Sequence, residues 1–282
     1  MATKKKILKE IPKKTKKSLS LPDLRINKNI LVAEHVKKEL DKLFYAKPDY
    51  DAELEMLKYQ YDHEEEERVG LHASAVSSGG KDFCYREQVL SLFYKMIQGE
   101  NIPIGLKRIF EEGKSIGTKW QRLFIRGGIA KKEDLDVSRI EEQYDLSYTP
   151  DAIITIDNKL YVVEIKSQNT FIFKKQQSHP SGIKQLKLYM YFEGIEQGFV
   201  LVEDKNTQDY KVLIVTNVTA DDPDISDIID RLETIQFYKE KFIRTKKPPK
   251  RLPNCTTHTC KRAEKCNMRE ACWNIGNGRI KI

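Results

Sequence analysis

The chain has 282 residues, of which 39% are hydrophobic and 33% are charged, and its formal net charge is +8 at pH 7. This length is enough for one large or two modest domains with a real core. A stretch of about 18 consecutive apolar residues does not occur, which argues against a membrane span. The basic N-terminus lacks the apolar centre of a secretory signal, so we expect an intracellular, cytoplasmic protein without membrane partners.

Positive charge is concentrated at the start of the chain. Residues 1–30 contain ten Lys or Arg side chains against Glu10 and Asp23, which equals the excess of the whole chain. A basic arm of this kind, which we place at residues 1–29, is typical of nucleic-acid binding through counterion release. The alternative is a disordered segment that only keeps the protein in solution.

The first half of the sequence is predicted to be helical. Apolar side chains recur at helical spacing in four segments, residues 30–45, 51–70, 82–97 and 105–128. The last of these ends at Gly127 and Gly128, a typical stop signal. We therefore expect a helical region over residues 30–139.

From about residue 140 the spacing changes to that of an α/β structure. Two strand-like runs flank Asp157-Asn158, a pair that is typical of a tight hairpin turn. The predicted elements are strands at 151–157 and 159–167, a helix at 181–194, strands at 198–204 and 210–218, and a helix at 224–244. The pattern predicts an α/β core over residues 140–245, a mixed sheet flanked by helices, followed by a cysteine-rich tail over residues 246–282.

The hairpin carries the residues that point to chemistry. Asp151 and Glu164 are equally far from the turn, so an antiparallel pair places them face to face. Two close carboxylates repel each other, and a divalent cation held by both relieves the repulsion. Lys166 lies two residues beyond Glu164, hence on the same face, where its ammonium group meets a water or a phosphate. The alternative is a surface hairpin with an ordinary cross-strand charge cluster.

A second pair of polar side chains follows on the next predicted helix. Gln185 and Tyr189 are four residues apart and share one helical face. With them, the hairpin resembles the PD-(D/E)xK nuclease superfamily, which has a restriction-endonuclease-like fold. More narrowly it is similar to the RecB-like branch, which includes the CRISPR-associated RecB-like exonucleases.

The resemblance implies a role for each of these residues. Asp151, Glu164 and the backbone carbonyl of Ile165 would bind Mg²⁺ or Mn²⁺. Lys166 would orient the attacking nucleophile. Two further side chains would position DNA or the lysine, and these are Gln185 and Tyr189.

The cysteines provide an independent signal. Cys84 stands alone, whereas the others, Cys255, Cys260, Cys266 and Cys272, are grouped near the end of the chain. In an intracellular protein, thiolates at short spacing favour Zn²⁺ or an iron–sulfur cluster over disulfides. We therefore expect a metal-bound tail.

The same resemblance favours the iron–sulfur alternative. A subset of RecB-like nucleases holds a [4Fe-4S] cluster with one cysteine before the core and three after it. This implies Cys84, Cys266 and Cys272 as ligands, with either Cys255 or Cys260 as the fourth. We favour Cys255, because it directly follows the segment RLPN. Zn²⁺ remains the alternative metal.

One position departs from the family pattern. The branch carries a Gly-x-x-x-His motif whose histidine is a further metal ligand; here Gly113 fits, but Gly117 stands where the histidine belongs. A water would have to fill this position, or metal binding is weakened or lost. The alternative function is therefore a catalytically weakened or dead nuclease fold that binds DNA.

Candidate DNA contacts can be named in outline. Lys119, Arg122 and Lys205 are candidate phosphate contacts, and Trp120 is a candidate for stacking on a base. The alternatives are a tryptophan in the core and cations that only coat the surface.

Together these patterns predict a Mg²⁺- or Mn²⁺-dependent deoxyribonuclease, most simply an exonuclease that favours single-stranded DNA. It would serve recombination, repair or phage DNA metabolism. The combination of a small nuclease and a basic arm suggests a phage or mobile element as the source. A third hypothesis is a zinc-stapled interaction protein whose hairpin charges face solvent.

Overall fold

The computed structural model describes residues 21–63, 70–78, 80–94, 104–136 and 138–275, without the side chains of residues 21–28, 63 and 81. Residues 1–20 of the predicted basic arm lie outside these ranges. Residue 21 already begins a helix, so the first predicted helix starts earlier than residue 30.

Helices precede and surround the strands of the core. In chain order the elements are α1 (Leu21–Leu43), α2 (Tyr50–His63), β1 (Leu71–His72), α3 (Ala73–Ser77), α4 (Tyr85–Ser91), α5 (Ile104–Arg126), β2 (Arg139–Glu141), β3 (Leu146–Tyr148), β4 (Ala152–Ile156), β5 (Lys159–Gln168), α6 (Thr170–Lys175), α7 (Pro180–Glu193), β6 (Gln197–Asp204), β7 (Tyr210–Thr216), α8 (Pro223–Thr245), α9 (Lys261–Glu264) and α10 (Arg269–Asn274). In the described part of the chain, no helix is both long and apolar enough to cross a membrane.

The β4–β5 hairpin has the predicted register. Its pairs run from Ala152 opposite Val163 to Ile156 opposite Lys159. The turn residues Asp157 and Asn158 have φ angles of 49° and 60°. Positive φ at both positions is what a two-residue hairpin turn of type I′ requires. The equal distance from the turn that the sequence predicts for residues 151 and 164 is therefore confirmed.

The main sheet is mixed, as the sequence predicts. Its order is β4-β5-β6-β7, with β5 and β6 parallel and the two outer pairs antiparallel. A parallel pair needs a crossover connection, which α6 and α7 supply between β5 and β6. A smaller three-stranded sheet, β1-β3-β2, was not predicted: β3 and most of β2 fall within the predicted core range, whereas β1 belongs to the region that the sequence predicts as helical.

Two apolar layers cover the two faces of the main sheet. Successive strand residues point to opposite faces, so Val162 packs in one layer and Val163 in the other. The first layer includes Leu186 of α7, and the second includes Phe124 of α5. The hairpin is therefore held between α7 and α5, and both helices contribute side chains beside its open end.

The C-terminal segment returns to the helical first half. Arg86 of α4 donates a hydrogen bond from Nη1 to the Pro249 carbonyl and one from Nη2 to the Cys272 carbonyl, each 2.8 Å long. Arg262 of α9 forms an ion pair of 2.5 Å with Glu87 of α4. These contacts fix the segment that carries α9 and α10 against α4.

Candidate active site

Two acidic residues meet at the open end of the hairpin. The register of β4 and β5, continued by one residue, places Asp151 opposite Glu164. Asp151 Oδ2 accepts a hydrogen bond of 2.5 Å from the backbone N–H of Ile165. Glu164 is 1% exposed. The fold thus brings together the two carboxylates that the sequence predicts as metal ligands.

The carboxylate of Glu164 is only half satisfied. Its Oε1 forms an ion pair with Nζ of Lys166, whereas its Oε2 is buried and has no hydrogen-bond partner among the described residues. A buried carboxylate oxygen without a donor is costly. Such an oxygen is suited to bind a divalent cation, because Mg²⁺ and Mn²⁺ prefer carboxylate oxygens as ligands.

The electrostatics of the site favour added positive charge. Burial raises the pKa of Asp151 well above its ordinary value, and repulsion from Glu164 and Asp136 adds to the rise. Burial also raises the pKa of Glu164, against the attraction of Lys166. Burial lowers the pKa of Lys166, but attraction from the two acids outweighs it, so the pKa is raised. A cation between the acids would relieve the repulsion between both carboxylates.

A third carboxylate, which the sequence analysis missed, belongs to Asp136. Its backbone N–H donates to the Asp151 carbonyl at 3.4 Å, and its carboxylate raises the pKa of both Asp151 and Glu164. The bridge between Leu135 and Ala152 brings this residue to the hairpin. No local pattern in the sequence predicts that long-range pairing.

A pair of glutamines holds the backbone of the site. Gln121 of α5 is buried, and its Nε2 donates to the Asp151 carbonyl at 2.9 Å. Gln60 of α2 donates from Nε2 to Gln121 Oε1 at 2.6 Å and to Asp136 Oδ2 at 2.9 Å. The two side chains therefore link α2 and α5 to the acidic residues.

On the other side of the lysine, α7 contributes a second polar chain. Lys166 Nζ donates to Gln185 Oε1 at 3.3 Å, and Gln185 Nε2 donates to the Tyr189 hydroxyl at 2.5 Å. Tyr189 is 3% exposed and stacks on Tyr148 at 5.8 Å between ring centroids. The fold brings these three residues together, and the burial of Tyr189 suits it to orienting Gln185 rather than to touching DNA.

The first turn of α7 lies against the stem of the lysine. A Cβ atom on Gly182 would stand 3.4 Å from Lys166 Cγ and 2.9 Å from His179 Nδ1. A glycine is therefore needed here because the lysine and the imidazole both approach the helix backbone. His179 was not recognised from the sequence.

The glycine that replaces the expected histidine has free space beside it. A Cβ atom on Gly117 would meet nothing within 4 Å. One turn away, a Cβ on Gly113 would lie 3.8 Å from Ser167 Oγ of β5, and one turn in the other direction is Gln121, bonded to Asp151. Residues four apart share a helical face, so Gly117 faces the open end of the β4–β5 hairpin, where Asp151 and Ser167 lie.

The predicted stacking role of Trp120 is wrong in this fold. Its side chain is fully buried, packs edge-on against Phe44 and Tyr210, and donates its indole N–H to Glu203 at 2.6 Å. A ring enclosed on all sides cannot stack on a base. The buried Glu203 explains the choice of a tryptophan, since its carboxylate needs donors.

The three predicted phosphate contacts already have anionic partners. Lys119 pairs with Glu203 at 2.6 Å, and Arg122 pairs with the buried Glu53 at 2.7 Å. Lys205 donates to the Ile109 carbonyl at 3.3 Å and pairs with Glu112 at 3.4 Å. Their contribution to DNA binding stays a prediction.

Four of the five cysteines line one cavity between α4 and the C-terminal segment. They are Cys84, Cys255, Cys266 and Cys272, together with Glu87, Arg251, Leu252 and Arg262. None of the five forms a disulfide. Burial raises the pKa of Cys84, and it raises the pKa of Cys266 to about 12. The thiols of Cys84 and Cys266 are therefore protonated at neutral pH unless a metal displaces their protons.

The fifth cysteine does not line this cavity, although its thiol interacts with that of Cys255. Cys260 Sγ accepts a hydrogen bond of 3.4 Å from the backbone N–H of Ala263 and caps α9. Backbone N–H groups lower the pKa of Cys260 to about 7. Across the described ranges, no group of three or more His, Cys, Asp or Glu side chains is arranged to hold a metal ion.

Several solved structures resemble the chain. Two of them are LHK-Exo, an alkaline exonuclease from Laribacter hongkongensis, one in complex with dAMP. Both are 18% identical and match 62% of this chain and 90% of their own, with TM-scores of 0.46 and 0.44. A third, SSO0001, is 14% identical and matches 77% of this chain and 91% of its own, with a TM-score of 0.43. No family model and no curated protein matches the sequence. Similarity at this level carries no functional conclusion, which has to rest on the residues of the site.

Proposed function

We propose that the chain is a metal-dependent nuclease of the PD-(D/E)xK type that hydrolyses phosphodiester bonds in DNA. The observation that carries the proposal is Glu164, a buried carboxylate with one oxygen paired to Lys166 and the other without a donor in the described part of the chain. Asp151 lies opposite, and its pKa is raised by burial and by Glu164. Paired acids and an amine at one point are the protein groups that metal-assisted hydrolysis requires.

The donor set fits a hard divalent cation. Asp151, Glu164 and the Ile165 carbonyl would hold Mg²⁺ or Mn²⁺, which both prefer oxygen ligands. When bound, such an ion supplies a water of lowered pKa and offsets negative charge at the phosphate. The orphaned Oε2 of Glu164 supports this fit more directly than the sequence motif does.

The protein groups around the acids prepare the site for an anion. Gln185 Oε1 accepts from Lys166 Nζ, and Tyr189 fixes the amide of Gln185 in turn. The ammonium is thereby held beside the two acids, where it would orient the attacking water and stabilise charge on the phosphate. Gln121 keeps the backbone at Asp151 in place, because its Nε2 donates a hydrogen bond to the Asp151 backbone carbonyl.

The substrate we propose is DNA, with single-stranded ends cleaved by exonuclease action, as in the RecB-like branch. The basic residues at the start of the sequence, which account for its whole net charge of +8, support a polyanionic partner. A role in recombination, repair or phage DNA metabolism follows from that activity.

We also propose that the C-terminal segment carries a [4Fe-4S] cluster with Cys84, Cys255, Cys266 and Cys272 as ligands. The common cavity of these four thiols supports the assignment, and Cys260 does not line that cavity although its thiol interacts with that of Cys255. The arginines of the cavity wall would balance the negative charge of thiolate ligands. Zn²⁺ is the alternative occupant.

A second function is favoured by one observation, the glycine at residue 117. The expected histidine ligand is missing, and the space beside Gly117 is free. A weakened or lost affinity for the metal would leave a nuclease fold that binds DNA without cleaving it.

Cleavage of end-labelled single-stranded DNA in Mn²⁺ distinguishes these functions. We expect wild-type protein to degrade it, and Glu164→Gln to lose at least about 100-fold in rate while its circular dichroism spectrum is unchanged. Equal rates in both proteins would contradict the nuclease assignment. Salt-dependent binding of DNA without cleavage in Mg²⁺, Mn²⁺ or any other divalent ion would favour the second function.

A further inference from the structure

An imidazole without an assigned role stands beside the active-site lysine. His179 Nδ1 and Lys166 Cγ both lie within 3.4 Å of one point, the position that a Cβ atom would take on Gly182. Val200 Cγ1 lies 3.2 Å from the same point and closes the third side. The histidine and the lysine are therefore neighbours across the first turn of α7, although they are thirteen residues apart in the sequence.

The hydrogen bonds of His179 determine where its proton is. The Nδ1 atom accepts from the Gly182 backbone N–H at 3.1 Å and lies 3.4 Å from the Ser181 hydroxyl. A neutral imidazole has one donor and one acceptor nitrogen, so its proton is on Nε2. Within the described residues, no hydrogen bond engages Nε2. Burial lowers the pKa of His179, and the charge of Lys166 lowers it further, so the neutral ring is the prevailing form.

We propose that His179 is a substrate-binding residue whose Nε2–H donates to a non-bridging phosphate oxygen of the DNA strand beside Lys166. The inference rests on the proposed nuclease function and adds a contact to it. A phosphate oxygen is the acceptor that suits this position, because the cationic Lys166 lies beside the imidazole and favours an anionic acceptor there. General-base catalysis by His179 does not fit, since its only lone pair is already taken by the Gly182 N–H.

The alternative is that His179 only caps α7. The two roles separate in the variant His179→Asn, because asparagine is among the best residues at a helix N-cap but lacks a donor at the position of Nε2. We expect the Asn variant to melt within about 1 °C of wild type, whereas His179→Ala also loses the cap and melts roughly 3 °C lower.

The test is a double-mutant cycle between the protein and its substrate. DNA affinity is measured by fluorescence anisotropy in Mn²⁺ in the Glu164→Gln background, which prevents cleavage. The ligands are a single-stranded oligonucleotide and the same strand with a methylphosphonate, which replaces a non-bridging oxygen by a methyl group, at each successive position. We expect His179→Asn to weaken binding of the natural strand about 10-fold. At one position the methylphosphonate should weaken binding to the protein that retains His179 but cause little further loss in the Asn variant.

Equal affinity of the His179→Asn variant and its parent protein for the natural strand would overturn the proposal. Losses that simply add at every methylphosphonate position would overturn it too, because the histidine would then not touch the phosphate. If wild-type protein binds DNA but does not cleave it, the nuclease assignment fails while this cycle still decides the role of His179. A wild-type protein without affinity for DNA would overturn both.

Discussion

At the scale of single residues, the acidic pair Asp151 and Glu164 lowers the stability of the metal-free fold at neutral pH. The pKa of Asp151 is raised by burial, by Glu164 and by Asp136, which means that the fold binds this proton more tightly than the unfolded chain does. Below a pH of about 4 both states are protonated and no stability is lost. As pH rises, the unfolded chain releases its proton first, so the stability of the metal-free fold falls.

Asp151→Asn should therefore stabilise the protein in EDTA. The amide oxygen still accepts from the Ile165 N–H, and the Glu164–Lys166 pair stays intact. We expect a gain of roughly 1–3 kcal/mol in the free energy of unfolding at pH 8 and a smaller gain at pH 5, measured by urea denaturation. The stabilisation that Mn²⁺ gives to wild-type protein should be absent in the variant. A variant that is less stable than wild type at pH 8 would contradict this account of the pair.

Gly182 sets how closely the lysine can approach α7. In Gly182→Ala the new methyl group would stand 2.9 Å from His179 Nδ1 and 3.4 Å from Lys166 Cγ, so at least one side chain must move. We expect a loss of at least about 10-fold in cleavage rate, together with a cost of about 1–3 kcal/mol in stability. The measurements are initial rates on labelled DNA and thermal melting.

The matched control is Gly113→Ala, whose methyl group makes an ordinary contact of 3.8 Å with Ser167. A helix interior gains about 1 kcal/mol from this change, and activity should be retained. If the Gly182 and Gly113 variants behave alike, the approach of Lys166 to α7 has no functional importance.

At the scale of elements, the hairpin could be predicted because its information is local. The turn residues Asp157 and Asn158 take up positive φ angles, and the register follows from their position. The same holds for α7, which begins at Pro180 and ends before Gly194, whose φ is 65°. Proline at the first turn and glycine after the last are helix signals readable in the sequence.

Contacts between distant segments were not predictable in this way. The burial of Trp120 depends on Glu203, a buried acid on a strand far along the chain. Asp136 is brought to the site by the bridge between its neighbour Leu135 and Ala152. His179 is brought there by the close packing at Gly182. Such pairings are set by the assembled fold, so they leave no periodicity in the sequence.

The helix α5 provides a test of the missing ligand. Gly117→His adds an imidazole on the face of α5 that Gly113 and Gln121 share, at a position where a Cβ atom meets nothing within 4 Å. We expect tighter Mn²⁺ binding by isothermal titration calorimetry and faster cleavage, each by about 10-fold or more. The control Gly117→Ala stabilises the helix by about 1 kcal/mol without adding a ligand. Equal Mn²⁺ affinities in the His and Ala variants would show that this position does not face the metal.

At the scale of the whole molecule, the C-terminal segment joins the helical first half. Arg86 donates from Nε to Cys272 Sγ at 3.0 Å, a contact between residues 186 positions apart. With Cys84 beside it, the cavity gathers thiols from both halves of the described chain. A cluster bound there would close a long loop of the unfolded chain, which raises stability.

Cys84→Ser should separate the cluster from the rest of the fold. We expect protein purified without oxygen to absorb near 400 nm, roughly where iron–sulfur proteins typically do, and the variant to lose this absorbance and its iron. The C-terminal segment of the variant should become sensitive to limited proteolysis. Cys260→Ser is the control and should keep its colour, because its thiol caps α9 outside the cavity.

Colourless wild-type protein that contains zinc would replace the iron–sulfur assignment with the zinc alternative. A colourless Cys260→Ser variant would instead show that Cys260, rather than Cys255, is the fourth ligand of the cluster. In metal-free protein, Cys260 should react first with iodoacetamide at pH 7, because its pKa is about 7 whereas that of Cys266 is about 12.

The proposed nuclease activity depends on a divalent ion between the two acids of the hairpin. The most direct measurement is a crystal structure of the protein soaked in Mn²⁺, with anomalous diffraction used to locate manganese. We predict a peak about 2.2 Å from oxygens of both Asp151 and Glu164, with Lys166 Nζ moved away from Glu164 Oε1. Manganese bound elsewhere, with the Glu164–Lys166 ion pair intact and DNA still cleaved, would contradict the account.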